Sequence, residues 1–151
     1  METKAGWHND FEARKAIGDK AEAEFQRTFL CQCGGRFVRN DVAYRSAPDF
    51  RCERCGQLVD VKSPPGKWNG VLNISERPYQ NYAPDLIIAV HIGKQWKGIR
   101  RINTTAEGPF ASAHGNSAHA TRFYRVRGKF QPADEFFRLQ NWLFPNLVKT
   151  P

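Results

Sequence analysis

"APDFRCERCGQLVDVKSPPGKW", residues 47–68, carries an aspartate after a proline, two cysteines, and an Asp-x-Lys inside an apolar run. Side chains alternate faces along a strand. Leu58, Asp60 and Lys62 therefore share one face, and Val59 and Val61 share the other, read as the core face. Folded as an antiparallel hairpin with its turn at Cys52 to Cys55, the segment sets Asp49 opposite Asp60, both about equally far from Arg54. Directly opposed residues have Cβ atoms about 5 Å apart. Two carboxylates that close repel each other unless a cation sits between them. A Mg²⁺ ion, bound by one or two carboxylates plus water and a substrate phosphate, resolves that repulsion. Lys62 points the same way, where it can hold an attacking water or offset charge developing on the phosphate. The competing reading is a solvated strand face bearing ordinary polar residues.

The cysteines number four, in two pairs each followed by glycine: Cys31-Gln-Cys33-Gly-Gly and Cys52-Glu-Arg-Cys55-Gly. Two pairs of closely spaced thiolates can close a tetrahedral zinc site, which is saturated and structural rather than catalytic. The first pair is C-x-C rather than the commoner C-x-x-C. Disulfides fit poorly in a chain that reads as cytosolic. Zinc on Cys31, Cys33, Cys52 and Cys55 would pin the hairpin turn to the end of the preceding helix. A pinned turn fixes the register, and a one-residue slip would send Asp60 to the other face.

The flanking sequence predicts the elements around the hairpin. Residues 10–29, DFEARKAIGDKAEAEFQRTF, are rich in good helix formers. Asn9 or Asp10 can cap them, and Phe11, Ile17, Ala21, Phe25 and Phe29 form an apolar stripe. Short strands are expected at 36–40, 44–50 and 57–63, then a Pro/Gly loop at 63–70 and a short helix from Ser75 to Tyr82. PDLIIAVHI, 84–92, is a continuous apolar run and reads as a buried strand. A strand from Trp96 to Asn103, a loop over 106–120 and a strand over 122–127 follow. Pro132 would open a last helix, ADEFFRLQNWLF, from the favoured first position. The order helix–three strands–helix–strand predicts an α+β or α/β fold around one mixed sheet. A single domain over 1–151 is expected, with a core at about 10–103 and a C-terminal strand and helix over 121–148.

At 151 residues and 40% hydrophobic, the chain has a globular composition. It has no apolar run long enough to span a membrane. METKAGWHNDFEARK has no apolar stretch that could serve as a signal peptide, so a cytoplasmic location and no membrane partner are expected. The net charge of +8 points to a polyanion, above all a nucleic acid. Lys67 and Trp68, just after the charged strand, and Arg100 and Arg101 are candidates for phosphate contacts and base stacking. For Trp96 and Tyr124 a core role weighs equally. His91 at the end of its strand reads as an ordinary strand-end histidine. His114, Asn116 and His119 spell the letters of an HNH nuclease, but six residues cannot supply the hairpin and helix that such a site needs.

Pro48-Asp49, ten intervening residues, then Asp60-Val61-Lys62 resembles the signature of the PD-(D/E)xK nuclease superfamily, the restriction-endonuclease-like nucleases. The resemblance covers roughly the first 95 residues, and the cysteines between the motif halves are not part of the general pattern. An Asp at the second acid position is an accepted variant. Members carry a helix–three strands–helix–strand core, and often a metal-binding glutamate on the first helix, four residues after a glycine. Gly18-Asp-Lys-Ala-Glu22 is similar. Glu24 is the rival, but Glu22 lies nearer the apolar stripe. The resemblance implies Mg²⁺ (or Mn²⁺) held by Asp49, Asp60 and the Val61 carbonyl, with Glu22 assisting and Lys62 positioning water. It implies a Mg²⁺-dependent endodeoxyribonuclease of restriction, repair or junction-resolving type. DNA is the expected partner, with RNA left open, and a homodimer would supply the two active sites that cutting both strands needs. The alternatives are a zinc-ribbon-like nucleic-acid-binding module, or an adaptor, whose carboxylates are structural.

Overall fold

A computed structural model describes residues 2–40, 47–111 and 122–140. Helix α1, Glu2–Thr28, begins earlier than the composition alone predicts and runs for 27 residues. Ala21 and Phe25 form its buried face, with Phe29 just beyond its end, whereas Ile17 of the expected stripe is 53% exposed. Arg27 lies in the last turn, where a cation complements the helix dipole. The chain then passes through β1 (Phe29–Cys31), β2 (Phe37–Arg39), β3 (Phe50–Cys52) and β4 (Leu58–Lys62). After β5 (Val71–Ser75) come helix α2 (Glu76–Asn81), β6 (Ile87–Ile92) and β7 (Gln95–Arg100). The rest is β8 (Thr105–Ala111), β9 (Arg122–Arg127), β10 (Gln131–Pro132), a 3-10 turn at Ala133–Glu135, and β11 (Phe137–Leu139).

Among the described residues the fold is mixed α+β, mostly strands in sheets with two α-helices. A six-stranded sheet has the order β10-β7-β6-β4-β3-β2. Its β4–β6 pair is parallel, joined through β5 and α2, while its other pairs are antiparallel. A three-stranded sheet, β5-β9-β8, and the short β1–β11 pair complete the topology.

Both faces of the central sheet are covered. Val59 and Val61 of β4, with Ile87 and Ala89 of β6, pack with Phe25, Phe29, Phe37, Phe50 and Phe137 on the α1 side. Ile88 and Val90 face the opposite way and pack with Tyr79, Tyr82, Leu72, Ile74 and Val126. Asp60 lies on this second face and is only 5% exposed, so the solvated-face reading fails.

Several expectations are corrected. The strand expected at 44–50 is β3, with 47–49 outside it, and the strand expected from Trp96 to Asn103 ends at Arg100, followed by a 3-10 turn at Arg101–Asn103. The C-terminal helix over 133–144 is not formed at 133–140. Phe137 pairs with Cys31 and its ring meets Phe25 at 5.0 Å, so long-range pairing overrides local helical propensity. The loop expected at 106–120 is β8 as far as Ala111, with a register shift between Glu107 and Phe110 where Gly108 takes a φ of 115°. Strand β5 takes Val71–Ser75, so Ser75, expected to open the short helix, ends a strand instead, and α2 begins at Glu76. Residues 44–46, 112–121 and 141–148, which include part of an expected strand, His114, Asn116 and His119, lie outside the described residues. Among the described residues no helix is long and apolar enough to cross a membrane.

Candidate metal centres

The hairpin forms in the expected register. Phe50 pairs with Val59 and Arg51 with Leu58, which sets Asp49, one residue before β3, opposite Asp60. The two carboxylates are clasped crosswise through backbone amides of the facing segments, Asp60 by Asp49 and Asp49 by Val61. The Asp49 amide donates to Asp60 Oδ1 at 3.3 Å, and the Val61 amide donates to Asp49 Oδ2 at 2.8 Å. Lys62 Nζ sits 3.0 Å from Asp60 Oδ2. The Val61 N–H points out of β4 toward Asp49, and a strand residue directs its C=O to the same edge. The Val61 carbonyl therefore faces the same opening.

This concentration of acid is electrostatically uncomfortable. Burial, reinforced by the charge of Asp60 and then Glu22, pushes the Asp49 carboxyl from 3.8 up to about 8. Burial by itself would lower the Lys62 ammonium. The charges of Asp60, Asp49 and Glu22 and the Asp60 hydrogen bond outweigh it and hold Lys62 above the usual lysine value. Asp49 and Asp60 offer carboxylate oxygens of the kind that hard cations such as Mg²⁺ take.

Of the two helix glutamates, Glu22 is the one whose charge reaches Asp49 and Lys62. It is also bound to Arg39 Nη1 at 2.9 Å. Glu24 looks elsewhere, with Oε2 3.9 Å from His91 Nε2. His91 stacks on Trp96 at 4.4 Å, away from the aspartates. Sequence reasoning did not find Tyr82, whose hydroxyl donates to Asp60 Oδ2 at 2.7 Å. Burial and the Asp60 charge hold its phenol well above the usual tyrosine value, so it stays a donor. No sequence spacing ties a residue 22 positions away to Asp60.

The four cysteines gather at the hairpin turn, against the end of α1. All four sulfurs lie within 4.8 Å of one another, an arrangement that could hold a metal such as zinc. The closest pairs are Cys31 with Cys55, at 3.5 Å, and Cys33 with Cys52, at 3.4 Å. Burial raises the Cys31 thiol to about 12. Burial also opposes ionisation of Cys52, but the amides of Cys55 and Arg54 outweigh it and lower that thiol to about 7. These amides belong to the tight turn that the glycine after Cys55 closes.

The candidate nucleic-acid contacts are dispersed. Lys67 is exposed in the loop after β4. Trp68 donates from Nε1 to the Val71 carbonyl at 2.8 Å and meets the Phe130 ring edge-on at 4.7 Å. Arg100 Nη1 donates to the Asp85 carbonyl at 3.0 Å, and the Arg101 guanidinium lies 4.6 Å from the Tyr79 ring centre. Trp96 meets Phe25 at 5.7 Å and Tyr124 meets Tyr79 at 5.3 Å, so both have core roles.

No protein-family model matches the chain, and no curated protein matches it in sequence.

Proposed function

We propose that the protein is a metal-dependent nuclease of the PD-(D/E)xK type, hydrolysing phosphodiester bonds in DNA. The observation that carries the reading is the crossed clasp of Asp49 and Asp60, with Lys62 3.0 Å from the second carboxylate. With β1 and β5 set aside, since they pair outside the six-stranded sheet, the order α1, β2, β3, β4, α2, β6, with β4 and β6 parallel, supports a restriction-endonuclease-like core around that clasp. The net charge of +8 supports a nucleic-acid substrate.

Asp49, Asp60 and the Val61 carbonyl would hold Mg²⁺ or Mn²⁺, with Glu22 close enough to assist. The bound cation would polarise the scissile phosphate and lower the pKa of a bound water. Lys62, kept protonated by its acidic neighbours, orients that water and offsets charge building on the phosphate oxygens. The thiol cluster carries a structural zinc that pins the hairpin to the end of α1. The protein acts as an endonuclease, and a homodimer would bring two such sites to a duplex.

A second reading is a zinc-ribbon-like nucleic-acid-binding module or adaptor without catalysis. Lys62 is already paired with Asp60, and Glu22 with Arg39, as in a structural charge network. The deciding experiment is a nicking assay on supercoiled, linear and branched DNA with Mg²⁺ or Mn²⁺. The nuclease reading expects cleavage by the wild type, and its loss in Asp60→Ala with fold and DNA binding retained. Binding without cleavage in the wild type favours the module, whereas full cleavage by Asp60→Ala overturns the proposed site.

A further inference from the structure

Tyr82 caps the C-terminal end of α2, its amide donating to the Tyr79 carbonyl at 3.3 Å. It is 5% exposed, on the face of the central sheet that carries Asp60. A buried hydroxyl needs a partner, and the partner here is Asp60 Oδ2, at 2.7 Å. The same oxygen accepts from Lys62, while Oδ1 takes only the longer bond from the Asp49 amide. Two strong donors thus grip one oxygen of Asp60 and leave the other turned toward Asp49.

The grip is itself braced. The Tyr82 ring lies 6.1 Å from that of Tyr79, edge to face. Tyr79 is fixed by a 2.7 Å hydroxyl bond to Thr104 and by the Arg101 guanidinium over its ring. Partners beyond the direct metal ligands orient those ligands, and their loss typically weakens metal affinity or activity by about 10–100-fold.

We infer that Tyr82 is a positioning residue of the divalent-metal site, holding Asp60 Oδ2 so that Oδ1 is presented to the cation beside Asp49. The inference rests on the nuclease-site reading. It concerns a residue that the Asp-x-Lys spacing does not contain.

The test is Mn²⁺ binding to DNA-free protein, followed by calorimetry and by the electron-spin resonance of free Mn²⁺. Tyr82→Phe should weaken Mn²⁺ roughly 10–100-fold, with zinc content and circular dichroism unchanged. Cleavage should recover toward the wild-type rate at saturating Mn²⁺. Tyr79→Phe removes the brace's bond to Thr104 but keeps the Tyr82 donor to Asp60, so it should weaken Mn²⁺ less than Tyr82→Phe does. If Tyr82→Phe loses its fold, Tyr82→Met fills the space without a donor and is read in the same way. Wild-type affinity in the Tyr82 variant, alongside lost affinity in Asp60→Asn, overturns the positioning role and leaves the site standing. Wild-type affinity in Asp60→Asn overturns the site, and the role of Tyr82 with it.

Discussion

On the proposed site, one proton and one cation would compete for Asp49. Burial and the neighbouring Asp60 lift its carboxyl from 3.8 to about 8. A carboxyl raised by folding contributes stability that is whole below its unfolded pKa and is lost as pH rises through the folded one. The metal-free protein should therefore lose this contribution as pH climbs from 3.8 to about 8. A divalent cation needs the carboxylate, so it must displace the proton below that pH. Mn²⁺ affinity should rise roughly tenfold per pH unit between pH 6 and 8, with about one proton released per ion near pH 7, as the linkage requires. Calorimetry in two buffers of different ionisation enthalpy measures the release. Asp49→Asn should flatten the profile, and a wild-type profile already flat would show that Asp49 does not hold the ion. The register that creates this competition was legible in the sequence, because the period of a strand and the position of the turn fix which residues oppose. The share of Tyr82 in it was not, because α2 reaches Asp60 through packing that no local pattern records.

Elements differed in legibility according to whether local or distant forces form them. The stretch over 10–29 read as a helix from composition, and the run over 84–92 read as a buried strand, because each signal lies within the element. The segment from Pro132 read as a helix on the same grounds. Yet Phe137 is buried against Phe25 and Phe29, and the Gln140 amide bonds the Thr28 carbonyl at 2.9 Å, so β11 is made by partners far along the chain. Gly108-Pro109 read as a loop, whereas the glycine serves a bulge inside β8. The cysteine knuckle was legible from spacing, but its tightness was not. A Cβ on Gly35 would stand 2.6 Å from Cys52 Sγ and 2.8 Å from Arg54 Cβ. Gly35→Ala should therefore spread the thiols and cost about 1–3 kcal/mol, the usual range for overpacking. It should also hasten zinc loss to a chelator. Cys52→Ala should lose the metal outright and lower the melting temperature further, because a structural metal supplies folding free energy. Metal analysis with thermal denaturation checks both. A Gly35→Ala protein with wild-type zinc retention would mean that the knuckle is loose enough to accommodate the methyl.

At the scale of the molecule, the central sheet separates two apolar clusters, one beside the thiol cluster and the other beside Asp60 and Tyr82. Cys31 and Cys52 belong to the cluster around Phe25, whereas Tyr82 belongs to the cluster of Leu72, Ile74 and Val126. The three-stranded sheet holds α2 in place: Arg122 bonds Glu76 at 2.9 Å and Tyr124 accepts from Gln80 at 2.9 Å. Ile74, 1% exposed and paired with Tyr124, lies under that contact. Ile74→Ala should cost about 2–5 kcal/mol, and Phe25→Ala about 3–5 kcal/mol, from lost burial and the cavities left behind. Similar stability losses should have different local consequences. Under conditions where both variants remain folded, Ile74→Ala should weaken Mn²⁺ binding by letting α2 and Tyr82 shift, yet keep its zinc. Phe25→Ala should release zinc faster, because the cysteine strands lose the ring that packs beneath them. Zinc release followed with a chromogenic chelator and Mn²⁺ titration of the same samples separate the two effects. Equal damage to both centres in both variants would mean that the sheet transmits the strain of either cavity, so that the two layers behave as one cooperative unit.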